Sequence, residues 1–265
     1  MTQTILVTGG TGALGRAVVK RLLDSGREVR VLSRRPRPTD EHMPYTWMTG
    51  DLRSGEGLDR AVAGADSIVP CASGPRGDVE AARNLIAAAQ RAGSPYVIYI
   101  SIVGIDQVPL GYYREKLEVE RLIERSGLPW TVLRATQFHD LILRACTMLA
   151  RPPVMVVPAG TSFQSIDVGE VAGRLAALAT GTSAGRVPDI GGPEVRSTGD
   201  LARAYLRASG RHRPVLPVRI PGAVFVGYRR GDHLARDRAI GRVTFEDFLD
   251  ERMTSASDSQ SKTGQ

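Results

Sequence analysis

The sequence predicts an α/β fold: a doubly wound parallel sheet that carries a small C-terminal lobe. Three observations predict it. Short apolar strands alternate with amphipathic helices through the first half of the chain. A glycine-rich turn, TGGTGALG over residues 8–15, joins the first strand to the first helix. After Thr136 the alternation loosens, as it does where a chain leaves its main sheet for a second lobe. The expected division is a domain of residues 1–136 completed by 166–191, a lobe of 137–165 and 192–252, and a disordered tail of 253–265, which is polar and poor in apolar residues.

Thr4 to Thr8 (TILVT) reads as a continuous apolar strand, and residues 13–25 follow with Ala13, Leu14, Ala17, Val18 and Leu22 near one helix face. Between them Gly9 permits a tight turn. Gly12 lets backbone amides approach a pyrophosphate with no Cβ in the way, and Gly15 allows the helix to pack closely on the strand. The helix N-terminus adds free N–H groups and a positive dipole end. A strand before the motif and a helix after it are the context such a motif requires, so the turn predicts a dinucleotide site.

Glu28 to Ser33 (EVRVLS) reads as the second strand. An NAD site usually carries an acidic residue near its end to bind the ribose 2′-hydroxyl. This chain has Ser33, Arg34 and Arg35 there, and two guanidinium forks beside a hydroxyl suit a 2′-phosphate. The predicted cofactor is NADP(H). Tyr45 to Met48 reads as the third strand, with Asp51 and Leu52 following where a loop approaches the adenine. Asp66 to Cys71 reads as the fourth, and Ala72 and Ser73 beyond it are further candidate cofactor contacts. A helix over 78–92, a strand over Tyr96 to Ser101, a helix over 113–126 and a strand over Trp130 to Arg134 complete the alternation, which implies parallel pairing with right-handed crossovers.

The outer part reads as a helix from His139 to Ala150, a strand from Val154 to Val157, a helix from Val168 to Thr180 and a strand from Val187 to Ile190. Helices over Thr198 to Ser209 and Phe245 to Arg252 follow, linked by the Pro/Gly-punctuated stretch PVRIPGAVFVG.

Ligands of open α/β sheets sit outside the carboxyl ends of the strands. Ser101 closes the fifth strand there. Tyr112 and Lys116 form an i, i+4 pair on the next helix. A phenol is a poor acid at neutral pH, and a nearby ammonium, together with the charge of the nicotinamide, is expected to stabilise its phenolate and lower its pKa. Tyr112 is then the candidate proton donor to a carbonyl oxygen, Lys116 a cofactor contact, and Ser101 a hydrogen-bond donor to the reacting oxygen. Gln137, Phe138 and His139, after the sixth strand, are the candidate substrate contacts, with His139 equally readable as a packing residue at a helix start.

Composition narrows the classes. The chain has 265 residues, 42% of them hydrophobic, enough for a large core. No apolar run approaches the roughly 18 residues of a membrane span, and no signal-peptide pattern is visible, so the expectation is a cytoplasmic protein. Cys71 and Cys146 lie in apolar stretches without metal-ligand spacing, and His42, His139, His212 and His233 are scattered, so no metal site is expected. The net charge is +7. Eleven arginines between Arg196 and Arg242 face only Asp200, Asp232 and Asp237 there. Sparse aromatics argue against a nucleic-acid surface, which leaves an anionic substrate or a salt-bridged surface. The sequence does not specify an oligomeric state.

With these residues in place, the chain resembles the atypical short-chain dehydrogenases/reductases of the NmrA-like, NAD(P)H-binding group. The resemblance runs through TGGTGALG, SRRP, GDL, YISIVGID, YYREKLEVERLIERSGLPWTVLRATQFHD, QSIDVGEVA, IGGPE and LARDRAIGRVTFEDFL. It implies a Rossmann domain with a small substrate lobe. It also implies Gly9, Thr11, Gly12, Ala13, Leu14, Gly15, Ser33, Arg34, Asp51, Leu52, Ser101 and Lys116 as cofactor contacts. Members of the group often keep the lysine and lack the tyrosine, and some are redox sensors that bind the dinucleotide without turning it over. Three functions are in view. The first is an NADPH-dependent reductase of a carbonyl or quinone on a mostly apolar, in one form aromatic, metabolite. The second is a non-catalytic NADP(H) sensor that binds a protein partner. The third is a sugar-nucleotide epimerase or dehydratase, against which Arg34, Arg35 and the short lobe weigh.

Overall fold

The computed structural model describes residues 2–38, 43–74 and 76–262, with the backbone alone for 255–262. His42 and residues 263–265 of the expected tail lie outside the described residues. In chain order the elements of the first half are β1 (Thr4–Thr8), α1 (Ala13–Asp24), β2 (Glu28–Ser33), β3 (Thr46–Thr49), α2 (Leu58–Val62), β4 (Ser67–Pro70), α3 (Asp78–Arg91), β5 (Tyr96–Ile102), α4 (Gly111–Glu124) and β6 (Trp130–Ala135). There follow α5 (His139–Leu149), β7 (Met155–Pro158), β8 (Ser162–Phe163), α6 (Val168–Ala179), β9 (Gly185–Arg186), β10 (Arg196–Ser197), α7 (Thr198–Ala208), β11 (Val215–Val218), α8 (Ala223–Arg230) and α9 (Phe245–Lys262).

The chain divides into two units. Unit 1 holds residues 1–106, 110–134 and 168–188, and unit 2 holds 107–109, 135–167 and 189–265.

Unit 1 is a seven-stranded sheet in the order β3-β2-β1-β4-β5-β6-β9. Its pairings are parallel, with Ile5 beside Val29 and Ser67 at the centre and Thr131 beside Gly185 at the edge. Both faces are covered, which is why β1 and β5 read as unbroken apolar runs rather than alternating ones. Leu6, Ile68, Val97 and Val132 point to one face and pack with Leu58 and Val62 of α2, Leu85 and Ala88 of α3, and Val119 and Ile123 of α4. On the other face α1 and α6 pack on the sheet and on each other, burying Leu14, Val18 and Leu22 of α1 and Val171, Leu175 and Ala179 of α6. Order reverses between β1 and β4. The crevice at their carboxyl ends is therefore the topological switch point of the sheet.

In unit 2, α5, α7, α9 and β7 enclose a core that includes Ile142, Met155, Leu201, Tyr205, Phe245 and Phe248. The strands make two small sheets, β7 with β11 in parallel and β8 with β10 antiparallel. Buried Gln164 ties three segments together: its Nε2 donates to the carbonyls of Gly192 and Ala235, and its Oε1 accepts from the Ala235 amide. Gly192 has no alternative, since a Cβ there would lie 1.7 Å from the Ser165 carbonyl.

Several boundaries differ from the sequence reading. The last strand of unit 1 is Gly185–Arg186 and not Val187 to Ile190, because Pro188 has no N–H to continue the ladder, and Ile190 instead bridges Ala135 within unit 2. PVRIPGAVFVG is not merely a linker. It contributes β11 and α8, the strand tolerating Pro217 because it lies at the edge of a two-stranded sheet. The expected disordered tail is helical as far as Lys262, since α9 meets neither glycine nor proline along its length.

Candidate functional site

The switch-point crevice of unit 1 is built by close backbone approach. Gly9 has φ +64°, and a Cβ on it would lie 2.5 Å from the Ala72 amide nitrogen. The loops after β1 and β4 thus meet where only glycine fits. A Cβ on Gly15 would come within 2.1 Å of the Gly9 carbonyl, so the third glycine fixes how closely α1 starts against the turn. Gly12, the N-cap of α1, carries no side chain over the helix end. Its only near neighbour for a Cβ is the Gly9 carbonyl, at 3.3 Å, so the approach to the free N–H groups is open. Thr11 and Ala13 lie in this turn and first helical residue, and Leu14 is buried beneath it. The residues fit a pyrophosphate.

The other candidate contacts lie at the ends of the neighbouring strands or on the loops after them. Ser33 ends β2, its Oγ accepting from the Arg35 amide at 3.1 Å. Arg34 and Arg35 are exposed, and among the described residues neither has a carboxylate partner. Asp51 accepts from the Arg53 amide through Oδ1. Leu52 and Ala72 line a mainly apolar cleft of about 30 Å³ with Ala82, Ile86 and Tyr99.

The polar centre lies on α4 and the loop after β4. Tyr112, in the first turn of α4, is 2.8 Å from Ser73 Oγ through its hydroxyl. Ser73 in turn donates to Asp78 Oδ2 at 2.6 Å. Lys116 Nζ stands 3.8 Å from the same Asp78 oxygen and 4.9 Å from the centre of the Tyr99 ring. Glu115 caps α3 from outside, its Oε2 accepting from the Gly77 and Asp78 amides at 3.1 and 3.4 Å. Ser101 is 3% exposed at the end of β5, and its Oγ has no hydrogen-bond partner. The structure thus joins Tyr112, Ser73 and Lys116 through Asp78 and does not join Ser101 to Tyr112.

By the chain's own groups alone, without the nicotinamide's charge, the Tyr112 phenol is raised, chiefly by burial, with Asp78 and Glu115 adding to it against the Ser73 hydrogen bond. The ammonium is directed at Asp78, 5.9 Å from the Tyr112 ring centre. Burial likewise lowers the Lys116 pKa, with Asp78 the main opposing charge.

Asp78 had no place in the sequence reading, and neither did the ion cluster of Arg134, Glu120 and Asp106. Arg134, 5% exposed, donates from Nε and Nη2 to the two Glu120 oxygens at 2.9 and 2.7 Å, and Nη1 meets Asp106 at 3.2 Å. Burial opposes the arginine's charge, and Glu120 and Asp106 outweigh it. The cluster connects the IVGID, EVERL and TVLR stretches, and the only sequence signal for it was charge inside otherwise apolar patterns.

Unit 2 holds the candidate substrate contacts. Gln137 is buried and Phe138 half-buried. His139 is 1% exposed, its ring packed on Phe245 and Phe248. Its Nε2–H donates to the Val243 carbonyl at 3.0 Å, which leaves Nδ1 to accept from Ser165 at 2.9 Å. The basic stretch gathers part of its charge in one open groove of about 670 Å³, lined by Arg203, Arg207, Arg211, His212 and Arg213. Part of that charge is paired: Arg203 with Asp200 at 2.9 Å and Arg207 with Glu246 at 3.8 Å in the groove, and Arg196 with Glu194 and Glu246 beside it. Among the described residues no helix is long and apolar enough to cross a membrane, and no cluster of His, Cys, Asp and Glu could hold a metal ion.

Comparison with known proteins agrees with this architecture. Residues 9–176 match the profile of a family described as NAD(P)H-binding. The (4-alkanoyl-5-oxo-2,5-dihydrofuran-3-yl)methyl phosphate reductase of Streptomyces griseus is 31% identical over 212 residues, 78% of this chain and 74% of its own. Quinone oxidoreductase 2 of Escherichia coli is 25% identical over 216 residues, 78% of this chain and 75% of its own. The crystal structure of an NADPH-dependent quinone oxidoreductase from Escherichia coli complexed with NADPH superposes with a TM-score of 0.80 at 20% identity, covering 94% of this chain and 99% of that one.

Proposed function

The chain belongs to the NAD(P)H-binding family, and we propose that it is an NADPH-dependent reductase of a carbonyl or quinone on a mostly apolar metabolite, with Tyr112 as proton donor. The observation that carries the proposal is Ser101: a buried hydroxyl without a protein partner, at the strand end where this fold receives ligands, calls for an oxygen from outside the chain. Bound at the glycine turn, a reduced nicotinamide supplies the hydride. Gly9, Gly12 and Gly15 leave room for its pyrophosphate, Leu52 and Ala72 would touch its adenosine part from neighbouring loops, and Arg34 and Arg35 would hold the 2′-phosphate. Ser101 orients the substrate oxygen, and Tyr112 gives it a proton. Lys116 holds its charge against Asp78 and would bind the nicotinamide ribose hydroxyls.

Gln137 and Phe138 are the substrate contacts that this reading takes from unit 2, while His139 keeps to packing. The arginine groove of unit 2 receives an anion, a reading supported by the phosphate ester that the Streptomyces griseus relative reduces.

The test is NADPH oxidation with a panel of quinones and carbonyls. Tyr112→Phe and Ser101→Ala should each slow turnover by about 10²- to 10⁴-fold, the usual worth of a general acid. Unchanged turnover in Tyr112→Phe would end the donor assignment. A non-catalytic redox sensor is the second reading, favoured by a phenol whose proton is engaged with Ser73 and whose pKa is raised. It requires tight NADPH binding with no oxidation by any acceptor.

A further inference from the structure

We propose that Ser73 and Asp78 form a proton relay that reloads Tyr112 between turnovers. The inference rests on Tyr112 as donor and names the route by which its proton is restored. A serine hydroxyl has one hydrogen. Ser73 gives it to Asp78 Oδ2 at 2.6 Å, so the contact of 2.8 Å to Tyr112 must be donated by the phenol. Phenol, hydroxyl and carboxylate therefore form a directed chain in which each link has hydrogen-bond length.

Asp78 is held in place at the end of that chain. Its Oδ1 accepts from the Gly74 amide at 2.9 Å, its Oδ2 faces Lys116, and its own amide is capped by Glu115. The carboxylate side chain is 11% exposed, so it meets solvent where Lys116, at 6%, is more enclosed. The groups that face the phenol are Glu115 and Lys116 on α4, Asp78 on α3, Ser73 after β4 and Tyr99 on β5.

The protons balance. With substrate bound, the Tyr112 hydroxyl turns its one hydrogen from Ser73 to the substrate oxygen; as the phenol O–H bond breaks, the substrate O–H bond forms and a phenolate remains. Ser73 then passes its proton to the phenolate and takes one from the Asp78 carboxyl, which has itself been protonated by water. One solvent proton enters per turnover. Burial and the two neighbouring carboxylates make the phenolate unfavourable, so they drive the reloading. Ser73 and Asp78 act through Tyr112 and are positioning residues.

The experiment uses the full chain with NADPH and menadione, comparing Ser73→Ala, Ser73→Thr, Asp78→Asn and Tyr112→Phe. Loss of the relay should lower kcat by about 10- to 100-fold while KM changes little, and should raise the solvent deuterium isotope effect on kcat. Ser73→Thr, which keeps the hydroxyl, should restore both. Wild-type kcat and isotope effect in Ser73→Ala and Asp78→Asn, with Tyr112→Phe inactive, would overturn the relay and leave the donor intact. An active Tyr112→Phe would remove the donor and the relay together. A second measurement needs no turnover: in protein labelled with ¹³Cζ-tyrosine, Asp78→Asn should move the Tyr112 resonance in the wild-type background and leave it in place in Ser73→Ala, because Ser73 is the link between them. A Tyr112 resonance that Asp78→Asn leaves unmoved, or moves equally in both backgrounds, would refute the connection.

Discussion

Replacing Glu120 with leucine should destabilise unit 1 far more than a surface ion pair would. Glu120 is 2% exposed and takes both oxygens to the Arg134 guanidinium. Removing one partner of such a pair leaves the other charge buried, which costs roughly 3–5 kcal/mol. Asp106 remains 3.2 Å from Nη1 and still partners the guanidinium, and although its side chain is 45% exposed and its pull is weakened by solvent, it offsets part of the cost. The lower end of the range, about 3 kcal/mol, follows. For a protein of this size that lowers Tm by roughly 6–12 °C. Removing both charges together, as Glu120→Leu with Arg134→Met, should recover all but about 1 kcal/mol, because no buried ion is then left unpaired. The assay is urea unfolding followed by circular dichroism, read as a change in midpoint at constant slope. A single variant within about 1 kcal/mol of wild type, or a double variant no better than the single, would refute the reasoning.

Two further outcomes can be stated. Arg34→Ser with Arg35→Ser should weaken NADPH binding by roughly 10- to 150-fold, the worth of one charge-assisted hydrogen bond, and leave NADH within about threefold; calorimetric titration of both nucleotides checks this, and an equal loss for each would contradict it. Burial pushes the Cys146 thiol up to about 12 and does the same to Cys71 against the pull of Lys116. Both thiols should react with a disulfide reagent at pH 8 about 10³-fold more slowly than an ordinary cysteine, with the rate rising as pH rises, and complete labelling within seconds would be the contrary result. Because the folded pKa lies above the unfolded value of 9.0, their contribution to stability is complete below pH 9 and is lost as the pH climbs toward 12.

What could be read from the sequence was whatever local pattern encodes. Gly9, Gly12 and Gly15 announce themselves because strand, turn and helix are contiguous, and the structure gives each a steric reason. Ser101, Tyr112 and Lys116 were legible as a strand end and an i, i+4 pair. Asp78 was not, since an acidic residue in the first turn of a helix is an ordinary complement to the dipole. Nor was the direction of the Tyr112 shift, because it depends on carboxylates brought in from α3 and α4. Arg134 and Glu120 are 14 residues apart, and no periodicity says that a strand-end arginine faces inward. Strand β11 was hidden by Pro217, and α8 by the glycine that precedes it.

The return of the chain to the sheet bears on how the protein is made. Helix α1, complete by Asp24, packs on α6, whose first residue is Val168, after unit 2 has already received residues 135–167. At roughly 5–20 residues per second, about 7 to 30 s pass between the synthesis of the two helices. Through that interval the buried face of α1, with Val18 and Leu22, lacks the helix that covers it, even as the strands up to β5 are completed. A ribosome stalled before residue 168 therefore presents an apolar helix face that a holding chaperone can take, and release of the finished chain withdraws it.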